Sequence, residues 1–482
     1  MIPLTLAEVA EATGGTLVDV PDAQARVTGP VVHDSRQVTP GALFVAVAGE
    51  RVDGHDFAER AVTGSGAVAV LATRPVGVPA VVVDDVLAAM ASLAHAVTAR
   101  LTDTTVVALT GSTGKTSTKD LIAQVLMSRS GPAKGSTVYT EGSFNNEIGF
   151  PLTALKAEQH TEFLVLEMGA RGKGHIAELC SITRPKVGLV INVGTAHLGE
   201  FGSREGIAEA KGELVESLPA DGVAVLNGDD PMVRAMAART AARVVFYGQA
   251  SDATVRAEDV RFDGLQRASF TLSTPSGSAP VALKLYGEHH VTNALAAAAV
   301  ATVCGLGVET IAAALSEAGS LSKWRMELTE RPDGVTVIND AYNANPDSMR
   351  AALRALAAIG GRGPDARRTW AVLGEMRELG EDSLTEHDAV GRLAVRLNIA
   401  TLVAVGGREA ACMELGARNE GSWGEESVLV PDADSAIELL REQVRPGDVV
   451  LVKASRSVGL EKVAAALLAH DAPSGAAGEA GR

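Results

Sequence analysis

The sequence predicts an α/β protein of three domains, and three observations carry that prediction. Short apolar runs alternate with amphipathic helical stretches almost throughout, the pattern of βαβ units and parallel sheets. The chain has 482 residues, too many for one core. One stretch breaks the alternation: between Ala250 and Ala282, "RASFTLSTPSGSAPVALKL" shows turns and alternating residues that predict antiparallel strands.

Taken in order, the first segment carries the strand candidates "ALFVAV" and "GAVAVLAT". It closes on "PAVVVDDVLAAMASLAHAVTARL", a strand and then a helix with Asp84 and Asp85 near the helix start. The second segment opens with "VVALTGSTGKTSTKDLIAQVL" and continues through the buried-strand candidates "EFLVLEMG", "VGLVINV" and "GVAVLN" to an alanine-rich helix, "HHVTNALAAAAVATVCGL". The third holds "GVTVIND", "TWAVLGEM", "IATLVAVGG" and "DVVLVKASRS", each with a helical neighbour. The last residues, "DAPSGAAGEAGR", read as a mobile tail. The expected divisions are 1–103, 104–319 and 320–470, with a tail over 471–482.

Composition removes several classes of function. A net charge of −16 argues against a polyanion-binding surface, so no nucleic-acid partner is expected. Aromatic residues make up only 3%, too few for a base-stacking platform. Cys180, Cys304 and Cys412 are far apart and odd in number, so neither a disulfide framework nor a cysteine metal pattern can be drawn. The start, "MIPLTLAEVAEATGG", lacks a basic region followed by an apolar one, and no stretch approaches the roughly 18 apolar residues of a membrane span. A cytoplasmic protein with no membrane span is the expectation.

Thr110, Gly111, Ser112, Thr113, Gly114, Lys115, Thr116 and Ser117 form a shortened phosphate loop between a strand and a helix. Glycine permits the curvature that aims backbone N–H groups inward, and the helix start behind favours an anion. Lysine suits the β/γ-phosphates and the hydroxyl suits Mg²⁺. The glycine that usually stands five positions before the Gly-Lys pair is replaced by Leu109, so only the shorter form survives. A tight turn with a chance Gly-Lys-Thr is the bland alternative, but strand, turn and helix agree on a nucleotide site. Downstream, Glu167 and His197 follow apolar runs, and Lys211 stands on an acidic helix. Taken singly, each has an ordinary explanation as a cap, a packed histidine or a surface lysine. In a parallel sheet, however, loops at the carboxyl ends of strands converge on one ligand.

The strings "TGSTGKTSTKD", "EGSFNNEIGFPLTAL", "LEMGARGKGHI", "NVGTAHLGEFGS", "EAKGEL", "HHVTNALAAAAVA", "KWRMEL" and "NDAYNANPDSM" occur in order along nearly the whole chain. Together they resemble the Mur ligases of peptidoglycan synthesis. "DSRQVTPGALFVAVAGERVDGHDF", "FNNEIGFPLTAL" and "DAYNANPDSM" point to the branch that adds D-alanyl-D-alanine. The resemblance implies an N-terminal nucleotide-sugar-binding domain, a central P-loop ATPase-like domain and a C-terminal Rossmann-like domain. It implies a monomeric ATP-dependent amide ligase (EC 6.3.2.10) that serves cell-wall biogenesis, cell shape and division. The ligase would join D-alanyl-D-alanine to UDP-N-acetylmuramoyl-tripeptide through an acyl phosphate. ATP and Mg²⁺ would be the cofactors.

Residue by residue, the resemblance gives Lys115, His197 and Lys211 catalytic roles. It makes Thr116, Glu167, His197 and a carbamylated Lys211 ligands of Mg²⁺. It assigns Asn293, Arg325 and Asp340 to ATP, Ser35 and Arg36 to the uridine nucleotide, and Asn145 and Asn146 to the peptide substrates. Arg51 and Lys134 are weaker candidates for the anionic substrate, with surface solubility as their plainer reading. A diaminopimelate-reading ligase would show a DNPR-like string, where this chain has "DAYNANPDSMR". A folate ligase would lack the first hundred residues. A nucleotide-gated switch would need the cradle without Lys211, His197 and Arg325, and an inactive relative would have lost some of them.

Overall fold

The structure, a computed structural model, describes residues 1–49, 52–129, 137–195, 198–421 and 426–469. The expected tail, together with Arg51, Lys134 and His197, lies outside the described residues.

The first sheet runs in the order Thr16–Val18, Ala80–Val82, Ala69–Ala72, Leu43–Val45 and Val31–Val32. Its first pair is antiparallel and the others are parallel. The helix Val86–Ala99 follows, started by Asp85, whose carboxylate accepts the N–H groups of Leu87 and Ala88 at 2.7 and 3.1 Å. An aspartate here satisfies donors that the helix itself leaves open.

Among the described residues the middle sheet has nine strands. The order is Gly277–Tyr286, Arg267–Thr274, Val255–Phe262, Arg243–Gly248, Val223–Asn227, Val187–Val190, Thr105–Thr110, Phe163–Glu167 and Thr137–Tyr139. The last three in chain order pair antiparallel, as their alternating pattern requires, and the rest pair parallel. The parallel strands are rich in Val, Leu and Ala because both faces are covered. From Thr105–Thr110 the chain crosses to the edge strand Thr137–Tyr139 and returns to Phe163–Glu167 beside it, then passes to the opposite side at Val187–Val190 and continues outward. The crevice at their carboxyl ends is the switch point where α/β sheets bind ligands.

The third sheet runs Glu327–Glu330, Thr336–Asn339, Val449–Lys453, Thr369–Gly374, Thr401–Val405 and Ser427–Val430. Only the first pair is antiparallel. Two apolar clusters cover the third sheet, and a separate pair of clusters packs about the middle sheet. Among the described residues no helix is long and apolar enough to cross a membrane.

Candidate active site

The strand Thr105–Thr110 ends in the glycine turn, and the helix Lys115–Arg129 begins at the lysine. Gly114 has φ +78°, and a Cβ there would lie 2.8 Å from Asn293 Oδ1, so only glycine fits the turn. The amides of Ser112 and Thr113 both point inward and meet Asn192 Oδ1 at 2.9 and 3.0 Å. Lys115 folds back so that its Nζ donates to Gly111 O at 2.8 Å. Desolvation in the cavity wall holds the Lys115 ammonium below its ordinary pKa; Glu167 opposes this and Arg325 adds to it.

Glu167 is the last residue of its strand and is buried, so it is no solvated cap. Its Oε1 accepts from Asn145 Nδ2 at 2.7 Å and Thr116 Oγ1 at 3.3 Å, while Oε2 is buried without a hydrogen-bond partner. An orphan carboxylate oxygen costs free energy unless a cation or donor completes it. Among the described residues no cluster of three or more His, Cys, Asp or Glu side chains could hold a metal ion. One carboxylate with neighbouring hydroxyls still fits Mg²⁺, which keeps much of its coordination on water and substrate phosphate. Lys211, on the helix Arg204–Glu216, is buried against the same cavity. Burial, with Lys115 adding, pushes its amine well below the usual lysine range.

Asn293 is buried on the helix His289–Val303 with Nδ2 unpartnered, and His290 Nδ1 beside it is likewise unpartnered. The third domain supplies the opposite wall. Arg325 Nη2 donates to Thr116 Oγ1 and Ser143 Oγ, each at 3.1 Å, and its guanidinium lies 4.1 Å from the Tyr342 ring. Asp340 accepts from Met326 N at 3.1 Å and from Lys453 Nζ at 2.6 Å. Burial lowers the Lys453 ammonium and Asp340 counteracts it. Asp347 Oδ2 accepts from Thr195 N and Oγ1 at 2.8 and 3.1 Å. These groups line one cavity of about 800 Å³.

A second cavity, of about 640 Å³, lies between the first and middle domains, with Val31, His33, Gln37, Phe144 and Ile148 in its wall. Asn146 lines both cavities. Thus Ser112 to Ser117, Asn145, Asn146, Glu167, Lys211, Asn293, Arg325 and Asp340 come together. Thr110 and Gly111 support the turn from beneath, Thr110 Oγ1 donating to Met168 O at 3.1 Å. Ser35 and Arg36 line neither cavity. Asp34 caps the short turn that holds them and draws the exposed Arg36 guanidinium to itself at 2.7 Å. His33 and Gln37, at either side, face the second cavity instead. Sequence reasoning missed Lys453, Asp347, Ser143 and Asn192. Lys453 ends an apolar strand and Asn192 follows one by two residues, positions that flag a ligand-facing side chain in a parallel sheet; Ser143 and Asp347 have no such mark.

Three family models match the chain: "Mur ligase family, catalytic domain" over 30–103, "Mur ligase middle domain" over 109–301 and "Mur ligase, glutamate ligase domain" over 324–456. The chain is 52% identical to the UDP-N-acetylmuramoyl-tripeptide--D-alanyl-D-alanine ligase of Mycobacterium tuberculosis, covering 98% of this chain and 99% of that one. With the Escherichia coli protein of the same name it shares 36% identity over 97% and 99%. Among solved structures, MurF from Acinetobacter baumannii superposes with a TM-score of 0.84 at 31% identity, covering 97% and 99%. MurF ligase from Thermotoga maritima in complex with ADP gives 0.76 at 32%, covering 91% and 96%. The chain belongs to the Mur ligase family, in its MurF branch.

Proposed function

We propose that this protein joins D-alanyl-D-alanine to UDP-N-acetylmuramoyl-tripeptide with ATP, giving the UDP-linked pentapeptide, ADP and phosphate. One observation carries the reading: a phosphate cradle, an orphan carboxylate oxygen and a desolvated lysine share a cavity, and Asn146 in its wall also lines a second, substrate-sized cavity. The name shared by the relatives supports it.

ATP sits with its phosphates on the Ser112–Ser117 turn and its adenine toward Asn293 and His290, whose unpartnered nitrogens suit a heteroaromatic base. The tripeptide reaches through from the second cavity past Asn146. An oxygen of its terminal carboxylate attacks the γ-phosphorus, and ADP leaves. Two anions must approach for this, and Lys115 and Arg325 offset their repulsion. Thr116, Glu167, His197 and Lys211 would hold Mg²⁺, whose charge would add to that neutralisation. Burial favours the neutral form of the Lys211 amine, the form that takes up CO₂ with release of a proton, which would make it an anionic oxygen ligand suited to that ion. The amine of D-alanyl-D-alanine then attacks the acyl carbon, loses a proton, and phosphate departs. The acyl phosphate hydrolyses readily, so water must be excluded, and the wall formed by Arg325, Asp340, Asp347 and Lys453 serves that end.

On this reading the protein works in the cytoplasm as a monomer, and 1–103, 104–319 and 320–470 are its working units. The deciding experiment is a phosphate-release assay with ATP, Mg²⁺, UDP-N-acetylmuramoyl-tripeptide and a panel of amino acids and dipeptides. Joining of D-alanyl-D-alanine is the expected result; preference for a single amino acid overturns it. Lys115→Ala should lower kcat by about 10²–10³-fold, and a variant working at full rate removes the cradle from the mechanism.

A further inference from the structure

The segment that leads from the middle domain to the third lies along the cradle helix, and it is attached there at regular intervals. Arg325 Nη2 donates to Thr116 Oγ1 at 3.1 Å. Three residues earlier, Ser322 N donates to Asp120 Oδ2 at 2.9 Å. Three earlier again, Gly319 N donates to Gln124 Oε1 at 3.1 Å, and Gln124 Nε2 donates back to Gly319 O at 2.9 Å. Thr116, Asp120 and Gln124 are spaced i, i+4 and i+8, so they form one stripe on one face of the helix. The connecting segment descends that stripe in the opposite direction, one attachment per helical turn.

The stripe is also tied to the far side of the site. Lys119 and Asp120 are both buried, with Lys119 Nζ 2.6 Å from Asp120 Oδ1, placed off-line so that the attraction is ionic. The same ammonium donates to Thr140 O at 2.6 Å and Gly142 O at 3.1 Å. Those carbonyls belong to the loop whose Ser143 meets both Thr116 and Arg325. None of Lys119, Asp120 and Gln124 lines the cavity. The backbone on either side of Arg325 is strained, Trp324 at φ +60° and Met326 at φ +50°. Such backbone persists only where its surroundings over-determine it.

We propose that this stripe is a docking rail, in which Asp120 and Gln124 are positioning residues that set where Arg325 stands over the triphosphate. The proposal rests on the ATP-dependent reading above and adds to it. The rail ties the residues that lead into Arg325 to the cradle helix, while Met326 just after it is held by the third domain's own core and by Asp340. Lys119 carries the matching constraint to the Ser143 loop.

The test uses the full chain, with joining rates measured against ATP concentration, ATP affinity by calorimetry, and nucleotide-tripeptide affinity measured separately. Asp120→Ala should reduce kcat/KM for ATP about tenfold, the order expected for a lost hydrogen bond to a charged group. Gln124→Leu should reduce it about threefold, since its partners are neutral. Asp120→Asn, which keeps an oxygen for Ser322 N–H but removes the charge that faces Lys119, should recover part of the loss, and nucleotide-tripeptide affinity should stay within about twofold in all three. In an Arg325→Ala background Gln124→Leu should cost nothing further, because it acts through that guanidinium. Unchanged ATP kinetics in Gln124→Leu overturn the proposal, and so do equal losses with and without Arg325. Should Asp120→Ala fail to fold, Gln124→Leu still decides. A wild-type chain that ignores the dipeptide removes the function, and ATP affinity in the variants then judges the rail alone.

Discussion

Where the first domain meets the middle one, the helix Val86–Ala99 lies against His175–Thr183 and Gly149–Ala154. Side chains from both sides, among them Met90, Leu93, Phe150, Leu179 and Ile182, belong to one continuous apolar cluster. Where the middle domain meets the third, the ties are mainly polar: Thr195 to Asp347, Arg325 to Thr116 and Ser143, and a backbone approach of Gly199 to Gly380. The third domain keeps its own apolar clusters, with the middle domain's Leu265 packed at the edge of one. Separating an apolar junction exposes area that water disfavours. Separating a polar one exchanges protein hydrogen bonds for bonds to water, at small net cost. By this contrast the first domain is the one held fast to the middle domain, and the third is the one whose separation costs least.

The largest effect expected from this contrast is on the apolar side. Leu179→Ala should destabilise the first two domains together by about 2–5 kcal/mol, read as one shifted transition in urea. Separate transitions for the two domains would break the comparison. Next, Arg325→Ala should cost about 2–3 kcal/mol in kcat/KM for ATP while leaving nucleotide-tripeptide binding nearly intact. Equal losses for both substrates would mean that the polar junction also shapes the second cavity. Third, Asp347→Ala should weaken docking of the third domain by about 1–3 kcal/mol. It should expand the free protein in solution scattering without moving the urea midpoint of the first two domains.

The smallest effect is a pH dependence confined to the third domain. His387 is buried, its Nε2 accepts from Met376 N at 2.9 Å, and burial lowers its pKa despite nearby glutamates. Since the unfolded chain binds this proton more readily than the folded one, stability is lost as pH falls below about 6.5, the unfolded value. His387→Gln should flatten that part of the third domain's stability profile; an unaltered slope would assign it to other groups.

The parts of the site that the sequence made legible were the local ones. The glycine turn, Lys115 and Thr116 depend on residues within a few positions of one another, and their geometry follows from glycine's freedom and a helix start. Glu167 was legible as a site residue because an acid that ends an apolar run in a parallel sheet projects into the crevice. Arg325 and Asp340 came only through resemblance. Asp347 and Ser143 escaped altogether, since each owes its place to a partner far along the chain. Ser35 and Arg36 show the reverse limit: the motif located a segment that borders the second cavity, but the turn capped by Asp34 decides which neighbours face it.

By itself, then, the amino-acid order determined the class of fold, the alternation of strand and helix, the antiparallel interruption and the phosphate cradle. All of these follow from side-chain periodicity and backbone preference over short spans. Only the tertiary structure decided that one junction is apolar and the other polar, that Asn146 lines both cavities, and that the stretch before Arg325 runs along the cradle helix. Such contacts join residues as far apart as Gln124 and Gly319, and no local rule of spacing or propensity reaches across that much chain.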